Sequence, residues 1–223
     1  MSARYPLVLF DLDGTLVDSF ADIVAGVRAA CSALGAHADA RVLAMASRGN
    51  PLEDFFRAAL GVDPEVPAER PRFARFAAAY REHYLPGCCA TTLPYPGIAD
   101  LLAWLRARTP APRIGVATTK RTETARRVLA GTGLLPLIDH VSGCDGLPVK
   151  PDPAVLRKVA AEAGIPVERA VMVGDTDRDV LAARAARCAA IAVSWGGFSH
   201  AELLALAPDH IVDHAADLAA LLA

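Results

Sequence analysis

The fold is decided by Leu7-Val8-Leu9-Phe10-Asp11-Leu12-Asp13-Gly14-Thr15. Four apolar residues in unbroken succession suit a strand covered on both faces, as in parallel sheets packed under helices; alternation would instead mark one wet face. The run stops at a carboxylate, so Asp11 is expected at the C-terminal edge of a sheet, where open α/β folds bind ligands. Asp13 lies two residues on. If the chain stays extended there, both carboxylates point the same way, and Gly14 lets the backbone turn sharply while keeping its N–H groups open to an anion. Two like charges that close raise the proton affinity of one of them unless a cation intervenes. The arrangement suits a nucleophile beside an acid/base, or a hard ion such as Mg²⁺. Taken alone, the stretch also fits an ordinary Asp-Gly turn after a strand.

Outward from this stretch, similar apolar runs recur at Ile114–Ala117, Ala170–Val173 and Ala189–Val193, with a weaker one at Ile211–Val212. Helical patterns separate most of them. Ile98, Leu101, Leu102 and Leu105 share a face after Gly97, and Val155, Leu156, Val159 and Ala160 share another before the stop at Gly164. The expected fold class is therefore α/β, with a parallel sheet covered by helices. Residues 18–90 differ, because helical patterns there have no strand between them. Ser19 with Asp22 resembles a capping box ahead of an apolar stripe (Phe20, Ile23, Val24, Val27, Cys31, Leu34) that stops at Gly35. Asn50, Pro51 and Glu53 read as N-cap, first position and third position of a helix reaching Leu60. Phe73, Phe76, Tyr80 and Tyr84 follow at helical spacing and are assigned to packing between helices. An α/β core of residues 1–17 and 91–223 with an inserted helical module at 18–90 is expected, Pro94-Tyr95-Pro96-Gly97 marking the return to the core.

Composition narrows the function classes. With 223 residues, the chain is long enough for one domain carrying an inserted module, since domains commonly run to roughly 100–200 residues. A net charge of −2 gives no basic excess to counter a nucleic-acid backbone. Asp11 and Asp13 interrupt the first apolar run too early for a signal-peptide core, and no stretch reaches the roughly 18 apolar residues of a membrane span. A cytoplasmic protein without nucleic-acid or membrane partners is expected. The five cysteines (Cys31, Cys88, Cys89, Cys144, Cys188) show no Cys-x-x-Cys pair or zinc spacing, and are expected as reduced thiols.

Polar groups recur at the other strand ends. Ile114–Ala117 runs into Thr118-Thr119-Lys120, and Ala170–Val173 runs into Gly174-Asp175-Thr176-Asp177-Arg178-Asp179 ahead of a helix at Val180–Ala186. Between them Val149-Lys150-Pro151 sets a lysine at a turn. Singly, Thr118 could cap a strand, Lys150 could be a surface charge and Asp179 could match a helix dipole. Their joint placement at successive strand ends has no such explanation.

These four motifs, in this order, resemble those of the haloacid dehalogenase superfamily of phosphohydrolases. With Ser19, Pro94-Tyr95-Pro96-Gly97 and Trp195-Gly196-Gly197, the likeness covers nearly the whole chain. It is closest to the subgroup with a helical cap inserted after the first motif, which includes phosphoglycolate phosphatases. The resemblance implies a doubly wound parallel sheet under an all-helical cap, and a phosphatase acting on a small phosphorylated metabolite as a monomer or homodimer. It implies Asp11 as nucleophile and Asp13 as acid/base, with Thr118 and Lys150 holding the phosphoryl oxygens. Gly14, Thr15 and Thr119 belong to the implied substrate-binding set. Mg²⁺ is implied as cofactor, held by Asp11, the Asp13 carbonyl and Asp175, with Asp179 acting through water or orienting that shell. Asp177 ranks below Asp175 and Asp179, because the family pattern leaves its position variable. Thr119 stands where many relatives carry Asn, which puts any amide contact there in doubt.

Other chemistries of the superfamily fit less well. A dehalogenase needs neither the second acid nor the metal, and the lysines are only Lys120, Lys150 and Lys158, so the helical module offers none for a Schiff base. A sugar-phosphate mutase of the β-phosphoglucomutase kind shares the core motifs and stays as an alternative. A catalytically silent binding or regulatory module on the same fold is a second. In Ser47-Arg48-Gly49-Asn50, Arg48 resembles a cap-loop residue able to pair with a substrate carboxylate, and equally fits a surface arginine beside a helix start.

Overall fold

The computed structural model describes residues 4–223; residues 1–3, with which the expected core segment begins, lie outside them. In chain order, β1 (Leu7–Phe10) and the short β2 (Val17–Asp18) lead into four helices: α1 (Phe20–Ala33), α2 (Ala40–Ala44), α3 (Leu52–Leu60) and α4 (Arg70–Gly87). A second short strand, β3 (Leu93–Pro94), precedes α5 (Ile98–Ala107), and strands and helices then alternate. They are β4 (Arg113–Ala117), α6 (Thr122–Gly131), β5 (His140–Ser142), α7 (Ala154–Ala163), β6 (Ala170–Gly174), α8 (Asp177–Ala186), β7 (Ala189–Val193), α9 (His200–Ala205), β8 (His210–Val212) and α10 (Ala215–Leu222). The chain forms two compact units. One holds the described residues up to Asp18 together with Leu93–Ala223, and the other is Ser19–Thr92.

In the first unit six strands make one parallel sheet in the order β5-β4-β1-β6-β7-β8. The winding reverses at β1, which lies between β4 and β6, and such a switch point is where an open sheet leaves a crevice at its C-terminal edge. Leu7 and Leu9 bury one face against Val155, Leu156 and Val159 of α7 and against Val180, Ala182 and Ala183 of α8. Val8 and Phe10 alternate to the other face and are just as buried, the reason this strand is apolar throughout. A side chain at Gly115 would sit 2.5 Å from Val159 Cγ1, so glycine there lets α7 approach β4.

Every apolar run named in the sequence is a strand. The expectation missed β5, whose three residues carry one apolar side chain, Val141, between His140 and Ser142. It also missed the ribbon in which β2 pairs antiparallel with β3, Val17 opposite Pro94 and Asp18 opposite Leu93. Helix α8 begins at Asp177, ahead of the expected Val180, because Thr176 and Asp179 form a capping box at its start. Among the described residues no helix is long and apolar enough to cross a membrane. None of the five cysteines forms a disulfide.

In the helical unit α1 lies along α4, where a side chain at Gly26 would come within 2.8 Å of the Tyr80 ring. The aromatic stripe packs helices, as expected: Phe56 meets Phe73 and Phe76 edge-on, with centroids 5.4 and 5.6 Å apart, and Tyr80 stacks on Tyr84. Two expected caps are different. Helix α3 starts at Leu52 with Pro51 in the N-cap position, and the Asn50 side chain instead donates to Asp54 Oδ2 at 3.0 Å. Ser19 makes no side-chain capping bond to α1. Asp22 is instead the acceptor for both N–H groups and both hydroxyls of Thr91 and Thr92, at 2.6–3.2 Å. Burial opposes the Asp22 charge, but these donors outweigh it and hold the carboxyl below its usual range.

Hydrogen bonds to a buried charge are worth about 1.5–3 kcal/mol each and unpaired partners cost more, so Asp22→Ala is expected to lower unfolding stability by about 2–4 kcal/mol. Because the folded carboxyl titrates below the unfolded one, its contribution is complete above the unfolded value of about 3.9 and fades as pH falls through the folded value. Urea unfolding of wild type and variant should therefore differ at pH 7 and converge in strong acid; a pH-independent gap would exclude the carboxylate as its source.

Candidate active site

Asp11, Thr118 and Asp175 each follow directly on one of three adjacent strands, β1, β4 and β6, so the parallel register sets them side by side. The backbone holds this edge. Asp11 N donates to Val173 O at 2.9 Å and Thr118 N to Ser142 O at 3.2 Å. Asp11, Thr118, Lys150, Asp175 and Asp179 are all buried.

Lys150, only 1 % exposed, enters from the loop before α7, where its bond to Pro151 is cis. Its ammonium donates to Ala117 O at 3.1 Å and to Asp179 Oδ1 at 2.6 Å. It also lies 2.9 Å from Asp11 Oδ1, an ion pair without hydrogen-bond alignment. Burial would strip the proton from this lysine, but Asp11 and Asp179 outweigh it and hold the ammonium charged. Asp179 also accepts from the N–H and the hydroxyl of Thr176, so one side chain starts α8 and neutralises Lys150.

Asp175 accepts from the Thr15 hydroxyl at 2.8 Å on one oxygen and from Gly197 N at 2.7 Å on the other. Three glycines make room for these carboxylates. An added Cβ would fall 2.2 Å from Asp175 at Gly14, 2.4 Å from Asp175 at Gly196, and 2.2 Å from Asp179 at Gly174. Gly14 moreover has φ +81°, open to glycine at no steric cost.

Asp11, Asp175 and Asp179 each bring a carboxylate oxygen within 4.8 Å of the others. Two of the three, Asp11 and Asp179, lie against the Lys150 ammonium. Burial foremost, then Asp179 and Asp13, push Asp11 up to about 7 against the pull of Lys150. Burial, Asp179 and Asp11 likewise raise Asp175 well above the carboxylate range, against Gly197 and Thr15. An all-oxygen donor set with excess negative charge is what a hard divalent cation such as Mg²⁺ requires.

The remaining expected residues are placed as follows. Asp13 lies outside that cluster and pairs with Lys120, Nζ to Oδ2 at 2.7 Å. The Gly14 N–H donates to Val17 O at 2.9 Å, so it is not open to an anion as the sequence suggested. Thr15 is fully buried with its hydroxyl on Asp175, which makes it a support for that carboxylate rather than a surface for substrate. Thr119 is half-buried beside Thr118, whose own hydroxyl accepts from Lys120 N at 3.2 Å. Asp177 accepts from the Arg178 N–H next to it. Arg48 belongs to the helical unit, exposed at the end of the 3₁₀ turn Met45–Arg48. Sequence reasoning assigned no role to Lys120, Trp195, Gly196 or Gly197. Trp195 Nε1 donates to Thr15 O at 3.1 Å. The signal was available, because Trp195-Gly196-Gly197 follows closely on β7 at the same sheet edge.

Comparison with known proteins agrees with this geometry. The family described as haloacid dehalogenase-like hydrolase matches residues 8–193. A probable phosphatase, IndB, of Dickeya dadantii is 35 % identical over 93 % of this chain and 89 % of its own. A phosphoglycolate phosphatase of Rhodospirillum rubrum is 37 % identical over 85 % of this chain and 79 % of its own. Among solved structures, a predicted phosphoglycolate phosphatase from Haemophilus somnus superposes with a TM-score of 0.85 at 25 % identity, covering 99 % of both chains. A buried aspartate at the switch point of a parallel sheet, a lysine and two further carboxylates around it, and a family match across most of the length agree: the chain belongs to the haloacid dehalogenase-like hydrolases.

Proposed function

We propose that this protein is a Mg²⁺-dependent phosphatase that hydrolyses small phosphate monoesters through an aspartyl-phosphate on Asp11. The observation that carries the proposal is the Asp11 carboxylate, buried at the end of the central strand, 2.9 Å from Lys150 Nζ and clustered with Asp175 and Asp179. In the first step an Asp11 oxygen attacks phosphorus, the ester P–O bond breaks, and Asp13 gives its proton to the departing oxygen. In the second, Asp13 takes a proton from water, whose oxygen attacks the acyl phosphate and releases inorganic phosphate and the Asp11 carboxylate. Lys150 and Thr118 hold the phosphoryl oxygens. The Thr118 hydroxyl accepts from Lys120 N, which leaves its own hydrogen to donate. Asp11 and Asp175 would hold the metal, with Asp179 orienting that shell through Lys150 and Thr176. Bound Mg²⁺ supplies the charge neutralisation that makes attack of an anion on an anion feasible.

Phosphoglycolate is the substrate the relatives' names favour, and Arg48 is proposed to pair with its carboxylate. In the alternative of a sugar-phosphate mutase, a screen of phosphate monoesters including glucose 1-phosphates would yield isomerised sugar phosphate instead of inorganic phosphate.

Asp11→Asn should abolish turnover of p-nitrophenyl phosphate with an unchanged circular dichroism spectrum; full retained turnover would remove Asp11 as nucleophile. Chelation with EDTA should abolish activity and added Mg²⁺ restore it, while activity indifferent to chelator would exclude the metal. Arg48→Ala should raise KM for phosphoglycolate about tenfold, in line with loss of a charge-assisted pair, and leave KM for the aryl phosphate near wild type. Equal changes for both substrates would take Arg48 out of substrate recognition.

A further inference from the structure

The Lys120 side chain carries no role in the mechanism above, yet it is held as closely as that of Lys150. Its ammonium lies 2.7 Å from Asp13 Oδ2, and the two side chains are only 12 % and 15 % exposed. Both backbones are pinned. Lys120 N donates to the Thr118 hydroxyl at 3.2 Å, Lys120 O accepts from Cys144 N at 3.0 Å, and a Cβ on Gly143 would sit 2.0 Å from that same carbonyl. On the other side Asp13 bridges to Val17, and Gly14, next along the chain, is walled in by Asp175. An aspartate with two rotatable bonds, set beside a turn, has several rotamers, and a proton donor acts only from one within about 2.6–3.2 Å of its target. A fixed cation on one carboxyl oxygen selects among them.

We propose that Lys120 is the positioning residue of Asp13, holding its carboxyl group in the orientation that delivers a proton to the leaving oxygen. The proposal rests on Asp13 as the acid, and the test separates the two. It compares kcat/KM, which reports events up to leaving-group departure, for p-nitrophenyl phosphate and n-propyl phosphate. The first leaving group departs with little help; the second needs a proton. Their ratio cancels the amount of folded enzyme, so a poorly folding variant still gives an answer.

General acids contribute about 10²–10⁴-fold, so Asp13→Asn should shift the ratio toward the aryl ester by about a hundredfold or more. Lys120→Met is expected to shift it the same way by about tenfold, Lys120→Arg to stay within about threefold of wild type, and Lys120→Met to add nothing further on Asp13→Asn. If Lys120→Met lowers both substrates equally, or adds its full effect to Asp13→Asn, Lys120 does not act through Asp13 and the proposal fails alone. If Asp13→Asn itself leaves the ratio unchanged, Asp13 is not the acid and both fall.

Discussion

A lysine ammonium with almost no exposed surface has to be neutralised where it stands, and the arrangement around Lys150 follows from that need. Two carboxylates and the Ala117 carbonyl converge on it. Removing one partner of such a buried pair typically costs about 3–5 kcal/mol, because the other charge is left uncompensated. The ammonium therefore fixes the relative positions of β1, β4 and the start of α8, the three elements from which its partners come. The geometry of the candidate site and the stability of the core are here the same contacts, so a substitution at Asp179 would disturb a helix cap, a salt bridge and the charge beside Asp11 together.

Asp175 is built on a different plan. Where Lys150 is held by charge, Asp175 is held by space: Gly14 and Gly196 close on it from two sides, Thr15 and Gly197 supply its hydrogen bonds, and Trp195 steadies the Thr15 carbonyl. Fully buried, the carboxylate is costly to keep charged, and burial foremost raises its proton affinity. Together the two plans give a site with more negative charge than its own lysine can balance. That imbalance is an elementary reason for such a site to take up a divalent cation.

Much of this was legible beforehand because a central parallel strand announces itself by being apolar without alternation, and because a polar residue just beyond it has only the sheet edge to go to. Asp11, Thr118 and Asp175 follow from that rule. β5 was not legible, since an edge strand of three residues with one apolar side chain carries no such signal. The anion-binding N–H at Gly14 was inferred from a glycine expected at a sharp turn, and the turn satisfied it internally with Val17. The capping box at Ser19 was misplaced for a related reason: Asp22 has the right spacing for a local bond, but long-range partners at Thr91 and Thr92 claim it. The Lys120–Asp13 pair spans more than a hundred positions of sequence and depends on the strand order, which no local pattern encodes.

The two-residue ribbon of β2 and β3 looks minor beside the six-stranded sheet, yet it has a topological effect. Asp18 and Leu93 stand opposite each other in it, so the core's two loose ends are joined by the core's own hydrogen bonds rather than by whatever chain runs between them. For the sheet, the 74 residues of Ser19–Thr92 amount to a loop whose ends are already closed. The entropy of bringing those ends together is shared with the ribbon, and lengthening such a closed loop costs only about 0.6 kcal/mol per doubling. The helical unit is in this sense interchangeable: a different insert could be carried at the same seam while the carboxylates and lysines of the sheet edge stayed where they are.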